Sequence, residues 1–236
     1  MKQEKTLRRL LEIALQPVGH TLYVWGGGWN EADDGAGPDA RRLGVSPRWA
    51  EFYNTQGPAY DFRTTRFQLH DGLDCSGFIG WAVYNLMEDA DGRPGYVCKA
   101  SGQAAAFARR GWGALLPPEQ AGARRPGDIF SGAGHVYLAL GQCPDGSALL
   151  VHASPPGVQI SGTATPQGKA DSQAAALAAR TMARYFPGWY ARYPENVRGV
   201  HYLTQFSRLK WHDAVLPDPD GLRALPPQQL VKALLG

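Results

Sequence analysis

Three residues of this chain have the types and settings to do chemistry. Cys75 stands in the run Asp74-Cys75-Ser76-Gly77-Phe78, and two histidines, His135 and His152, follow far downstream in strand-like settings. The thiolate is the nucleophilic form of cysteine, and a free thiol with a pKa of about 8.5 is mostly protonated at neutral pH. At the start of a helix the sulfur lies near partly positive backbone amides, which favours the anion. The small Ser76 and Gly77 let a substrate carbonyl approach both the sulfur and N–H groups able to hold an oxyanion. His135 is the candidate to take the thiol proton. His152 is the candidate to keep that imidazole in its tautomer, as the third member of such a set does. Two plainer readings stay open. One is a buried helix cysteine with two ordinary strand histidines. The other is a zinc site of Cys75, His135 and His152, whose ligand types suit the metal but which has no obvious fourth ligand.

The elements around these residues decide whether they can meet. Phe78, Ile79, Ala82, Val83 and Leu86 recur at helical spacing and predict a helix from Cys75 to Met87. Gly134 precedes a β-prone run from His135 to Gly141, and Cys143 to Ser147 has the composition of a hairpin turn. Ala148 to Ala153 is the returning strand. Pairing through that turn puts His135 and His152 within one or two rungs of each other, subject to a bulge. Upstream, Leu7, Leu10, Leu11, Ala14 and Leu15 mark an amphipathic helix over Thr6 to Leu15, ended by Pro17 and Gly19. The three glycines of Gly26-Gly27-Gly28 allow close backbone approach. Further helices are predicted for Ser101 to Arg110, Ser172 to Tyr185 and Pro226 to Leu235. Strands are predicted for Ile129-Phe130, Val158 to Ile160, Val200 to Leu203 and Phe206 to Trp211, with Asp128 as a turn residue. Helices followed by a run of antiparallel strands make an α+β layout with the helices on one side of the sheet.

Composition narrows the classes. With 236 residues, 44% hydrophobic and 19% charged, the chain has material for one enlarged, well-cored domain and no case for disorder. The formal charge of +3 is spread without a dense basic run, which argues against nucleic acid. The three cysteines cannot all pair, and none has zinc-knuckle spacing, so Cys98 and Cys143 read as small buried apolar residues. His20, His70, His201 and His212 read as surface or packing residues. Met1 to Leu15 has charges throughout and no signal-peptide core, and nothing approaches a membrane span. The expectation is a cytoplasmic chain or one exported by a non-standard route. Trp29 to His70 has no clean period, but its aromatics argue for an ordered insertion that packs.

Taken in order, several short motifs resemble one family. They are Tyr23-x-Trp25-Gly26-Gly27, Leu73-Asp74-Cys75-Ser76-Gly77-Phe78, Lys99-Ala100-Ser101-Gly102-Gln103, Arg125-Pro126-Gly127-Asp128-Ile129, Gly134-His135-Val136-Tyr137 and Val151-His152-Ala153-Ser154. The chain resembles the NlpC family of bacterial cell-wall cysteine peptidases, which are small papain-like enzymes, over about Leu7 to Trp211. The resemblance implies N-terminal helices packed on a central antiparallel sheet and a Cys75–His135–His152 triad. It implies Tyr23 near the oxyanion, and Asp74, Ser76 and Ser101 as substrate-holding residues. It also implies hydrolysis of peptidoglycan stem peptides, often between γ-D-glutamate and a diamino acid, with no cofactor and no metal. An amidase cutting the muramoyl–alanine bond, an acyltransferase on the same fold, and a non-catalytic peptide-binding relic are the alternatives. The chain departs from the family in insertions at about 29–70 and 154–198 of a catalytic domain spanning 1–212. It departs also in Lys99, where arginine is common. Residues 213–236 are expected as a tail on the same domain.

Overall fold

Helix α3 (Cys75–Met87) has all 13 of its residues buried. The computed structural model describes residues 4–28, 43–65, 70–90 and 95–236. The sequence predicts one apolar stripe on α3; the helix is instead covered on every side. Helix α1 (Leu7–Leu15) lies along one flank, its first turn capped by the Thr6 hydroxyl, which accepts from Arg9 N at 3.3 Å. Helix α2 (Pro47–Thr55) covers another, with Trp49 edge-on to Trp81 at 5.4 Å between ring centroids. The Trp81 indole donates to Gly44 O at 3.0 Å, so the buried ring is satisfied at its polar end.

The remaining flank of α3 rests on a seven-stranded sheet. Its strands are β1 (Gly113–Leu116), β2 (Ile129–Ser131), β3 (Val136–Gln142), β4 (Ala148–Ser154), β5 (Gly157–Thr163), β6 (Val197–Arg198) and β7 (Ser207–Trp211). Their order is β1-β7-β2-β3-β4-β5-β6, antiparallel throughout except for the short β5–β6 pair. Leu138, Leu140, Leu149, Val151, Val158 and Ile160 share one core with α1, α3, α4 (Gln103–Arg109), α5 (Gln173–Tyr185) and α8 (Pro227–Leu235). Alternate residues point the other way, as a pleated strand requires. Phe130, Tyr137, Ala139 and Leu150 form a second cluster with Tyr202 and Phe206. The result is a mixed helix–sheet fold whose described residues carry eight α-helices.

Several expectations are corrected. Val200 to Leu203 is not a strand: α7 (His201–Thr204) is a single helical turn that drives Tyr202 into the second cluster, 5.3 Å from Phe206 and 5.5 Å from Tyr137. Burial of one aromatic outweighs the β-propensity of the run. Asp128 is not merely a turn residue. It is buried, accepts from Arg208 Nε at 2.7 Å and also pairs with Arg208 Nη2, tying the start of β2 to β7. Cys98 is half-buried rather than buried, whereas Cys143 is buried. Helices α2 and α6 (Pro187–Arg192) and strand β1 have no counterpart in the sequence reading.

The two long insertions touch each other. Tyr53 of α2 stacks on Trp189 of α6 at 5.5 Å, and Arg192 donates to Tyr53 O at 3.3 Å and to Gln56 O at 3.2 Å. The Tyr193 hydroxyl donates to Gly57 O at 2.8 Å. Residues 29–42 and 66–69 of the first insertion lie outside the described residues. The tail packs on α1: Leu7 N donates to Pro217 O at 2.9 Å, and Leu216, Leu222 and Leu230 are buried. Among the described residues no helix is long and apolar enough to cross a membrane.

Candidate active site

Cys75 is the first residue of α3, and Asp74 is its N-cap. The Asp74 carboxylate accepts from Gly77 N at 2.7 Å, from the Ser76 hydroxyl at 3.0 Å and from Gly26 N at 3.2 Å. One carboxylate thus satisfies a free amide of the helix start and pins the glycine-rich turn against it. That contact is close. A Cβ on Gly77 would overlap Gly27 O and lie 2.9 Å from Gly28 Cα, while Asp74 N donates to Gly27 O at 2.9 Å. The glycines at both places permit this approach.

The backbone N–H groups of Val136, Ser76 and Cys75 itself act on the sulfur in favour of its anion. Val136 opens β3, so the thiol is near the residue next to His135. His135 closes the tight turn between β2 and β3, where Gly132 N donates to the His135 carbonyl at 2.8 Å. On β4, His152 is one step beyond the Leu138–Val151 pair, which sets it opposite Tyr137 and makes His135 its diagonal neighbour. A bulge between Ala139 and Gly141 sets the register of the rest of the hairpin. Diagonal side chains are within reach. His135 Nε2 and His152 Nδ1 are 2.7 Å apart, with the rings at 82°. That leaves Nδ1 of His135 as its remaining nitrogen. The structure records no hydrogen bond between the Cys75 sulfur and His135. His152 is fully buried, and its Nε2 lies 3.0 Å from Ser161 Oγ and 3.2 Å from Arg198 Nε, the latter donating.

Electrostatics set a neutral resting state. Cys75 is 6% exposed. Burial pushes its thiol up to about 12, and the Asp74 charge adds to this, while the three N–H groups pull it down by less. The helix-start amides therefore do act on the sulfur as the sequence suggests, but burial outweighs them. His135 is held down to about 3 by burial, then by the charges of Arg198 and His201. His152 is held well below the ordinary imidazole range by burial, then by Arg198 and His135. A thiol beside two neutral imidazoles follows, rather than a thiolate–imidazolium pair.

The other candidate residues divide. Tyr23 is buried with its phenol close enough to Cys75 and Asp74 that both charges, after burial, oppose its ionisation. Its carbonyl accepts from the Tyr60 hydroxyl at 2.7 Å, and Phe62 meets its ring edge-on at 5.2 Å, so the first insertion fixes it. Asp74 and Ser76 are both buried, the Ser76 hydroxyl committed to Asp74. Ser101 is exposed in a short 3-10 turn, Ala100–Gly102, whereas the neighbouring Gln103 is fully buried and donates to Ser76 O at 3.0 Å and Tyr96 O at 3.2 Å. Sequence reasoning misses Tyr202, whose ring lies 5.5 Å from His135 and 6.0 Å from His152. It also misses Ser161 and Arg198. The period-2 pattern of β5 places Ser161 on the His152 face and was a usable signal; nothing local marks Arg198 or Tyr202.

Among the described residues no group of three or more His, Cys, Asp or Glu side chains has the arrangement of a metal site. The zinc reading of Cys75, His135 and His152 also meets a geometric obstacle. The facing ring nitrogens are at hydrogen-bonding distance, 2.7 Å, whereas zinc–nitrogen bonds of about 2.0–2.1 Å at tetrahedral angles hold two such ligands further apart. Comparison with models of protein families, with curated proteins and with solved structures returned no match to this chain.

Proposed function

We propose that this chain is a cysteine peptidase that hydrolyses an amide bond in a peptidoglycan stem peptide, of the γ-D-glutamyl to diamino acid type. The observation that carries the proposal is the convergence of three elements. The start of α3, the β2–β3 turn and β4 bring Cys75 near Val136 N–H and His135 within 2.7 Å of His152. The same convergence supports a papain-like arrangement of helix and sheet. The murein substrate class comes from the ordered motifs that resemble the NlpC family.

In this mechanism the thiol attacks the amide carbonyl as its proton passes to Nδ1 of His135. His152 accepts from Nε2 of His135 and stabilises the imidazolium that forms. Backbone N–H groups at the start of α3, with the Tyr23 phenol, receive the developing oxyanion. The imidazolium protonates the leaving amine, a thioester remains, and water resolves it. Asp74 and Ser76 hold the substrate from beside the nucleophile. The chemistry calls for no cofactor. The test is mass spectrometry of products from a defined muropeptide panel, run beside Cys75→Ala. New termini at a stem-peptide amide, absent in the variant, are expected; equal product from Cys75→Ala refutes the proposal. Product masses also separate muramoyl–alanine amidase and acyl-transfer chemistry from peptidase chemistry.

A second reading has one observation in its favour: the low exposure and raised pKa of Cys75 suit a peptide-binding module with an inert thiol. Product release separates the two: the enzyme leaves new termini on the muropeptides, whereas the module binds them uncut.

A further inference from the structure

One arginine stands against the histidine pair. Arg198 lies in β6, where its carbonyl accepts from Ala164 N at 2.7 Å, and its Nε donates to His152 Nε2 at 3.2 Å. An arginine side chain offers donors only. His152 Nε2 is therefore an acceptor, and the neutral His152 ring carries its proton on Nδ1. That proton is donated to His135 Nε2, 2.7 Å away. His135 Nε2 is then an acceptor in turn, so the neutral His135 ring carries its proton on Nδ1, the nitrogen required to receive the thiol proton.

We propose that Arg198 is a restraining positioning residue that biases the resting histidine pair toward the tautomer unable to deprotonate Cys75, leaving turnover to the tautomer that Ser161 supports. The proposal rests on the reading of Cys75, His135 and His152 as a catalytic set.

The reactive tautomer needs a different partner at one atom. Ser161 Oγ is 3.0 Å from the same His152 Nε2. A hydroxyl both donates and accepts, so Ser161 receives a proton-bearing Nε2 where an arginine cannot. His152 Nδ1 then accepts from His135 Nε2, and His135 Nδ1 presents a lone pair to the thiol. Both states hold two ring protons. Passing from the first to the second moves the His152 Nδ1 proton to His135 Nε2, releases the His135 Nδ1 proton to water, and takes one from water at His152 Nε2. Arg198 and Ser161 compete for one nitrogen, and the outcome decides whether His135 is a base.

Two further observations agree. Among the described residues Arg198 Nη2 is buried with no hydrogen-bond partner, so none of them anchors that arm of the guanidinium. The Arg198 charge also lowers the basicity of both rings, in each case after burial. The other titratable groups acting on these residues are His201 on His135, Cys75 on Tyr202, and Glu195 and Tyr202 on Arg198.

The direct test is nitrogen NMR of the wild-type protein with 15N-labelled histidine, near neutral pH. The expected spectrum has His152 and His135 protonated on Nδ1 and bare on Nε2; the reverse tautomers overturn the proposal. Arg198→Met keeps length but removes donor and charge. It is expected to move His152 to the Nε2–H form and, by making His135 a base, to speed iodoacetamide labelling of Cys75 by about tenfold or more, on the low side of what general-base assistance supplies. Arg198→Lys, which keeps a charge and a donor, is expected to label as slowly as wild type. Unchanged tautomers with unchanged or slower labelling in Arg198→Met overturn the proposal. If Arg198→Met fails to fold, the wild-type spectrum decides alone. Uncut muropeptides beside the expected spectrum remove the peptidase assignment and leave the tautomer assignment standing.

Discussion

Asp74→Asn separates two roles of one carboxylate. As a cap, asparagine is about as good as aspartate. Its oxygen can still accept from Gly77 N, now at 2.7 Å, and from the Ser76 hydroxyl, now at 3.0 Å. Its amide, however, faces Gly26 N, which donates to the native carboxylate at 3.2 Å. Two donors then oppose each other, and an unpaired buried donor costs about 1–3 kcal/mol. For a domain of this size each kcal/mol moves the melting temperature by roughly 2–4 °C. The charge acts in the other direction on the thiol. Asp74 is the second cause, after burial, of the raised Cys75 pKa, and it contributes to that of Tyr23 as well. Removing it lowers the thiol pKa and so raises the share of thiolate at a fixed pH. The variant is thus expected to melt earlier and to react faster with iodoacetamide, followed by intact mass across neutral to alkaline pH. If Asp74 also holds the substrate amine, peptide turnover falls while labelling rises. Slower or unchanged labelling refutes the assignment of Asp74 as a charge acting on the sulfur.

Three further outcomes are expected. His152 is neutral in the fold with its pKa lowered from 6.5, so its contribution to stability is present above that value and lost as pH falls below it. Each unmatched proton costs about 1.4 kcal/mol per pH unit, so urea unfolding between about pH 7 and pH 5 should show wild type losing roughly 2 kcal/mol more than His152→Asn. Asp128→Ala leaves the buried Arg208 charge without its carboxylate and should cost about 3–5 kcal/mol by equilibrium unfolding, with Arg208→Met in the same background recovering part of it. Gly77→Ala forces a methyl onto Gly27 O and Gly28 and should lower stability by about 1–3 kcal/mol in a thermal melt.

Much of this site is legible in the sequence because it depends on local pattern. The cap, the apolar run of α3 and the β3–β4 turn are written within a few residues of Cys75, His135 and His152, and alternation along the strands does the rest. The turn-based pairing places the two histidines close together, and the rings meet at 2.7 Å. What the sequence does not disclose depends on distant partners. Arg198 reaches His152 from the last-paired edge of the sheet, 46 residues away in the chain. Asp128 finds Arg208 across 80 residues. Val200 to Leu203 has strand-forming side chains, yet Tyr202 gains more by burial against Tyr137 and Phe206. The protonation state of Cys75 is hidden for the same reason. Amides at the helix start are local, whereas the desolvation that outweighs them comes from the whole surrounding fold.

The aromatic seam between α2 and α6 ties two separately encoded segments into one cassette. Tyr53 meets both the Trp189 ring and the Arg192 guanidinium, whose carbon sits 4.5 Å from the tyrosine centroid. Trimming either segment alone strands those planes in water, so an engineered or diverging version of this protein must gain, lose or exchange both together. Because the same cassette ends on Tyr23 through Tyr60, its wholesale exchange is also a route by which the lining beside the sulfur can be changed without touching Cys75, His135 or His152.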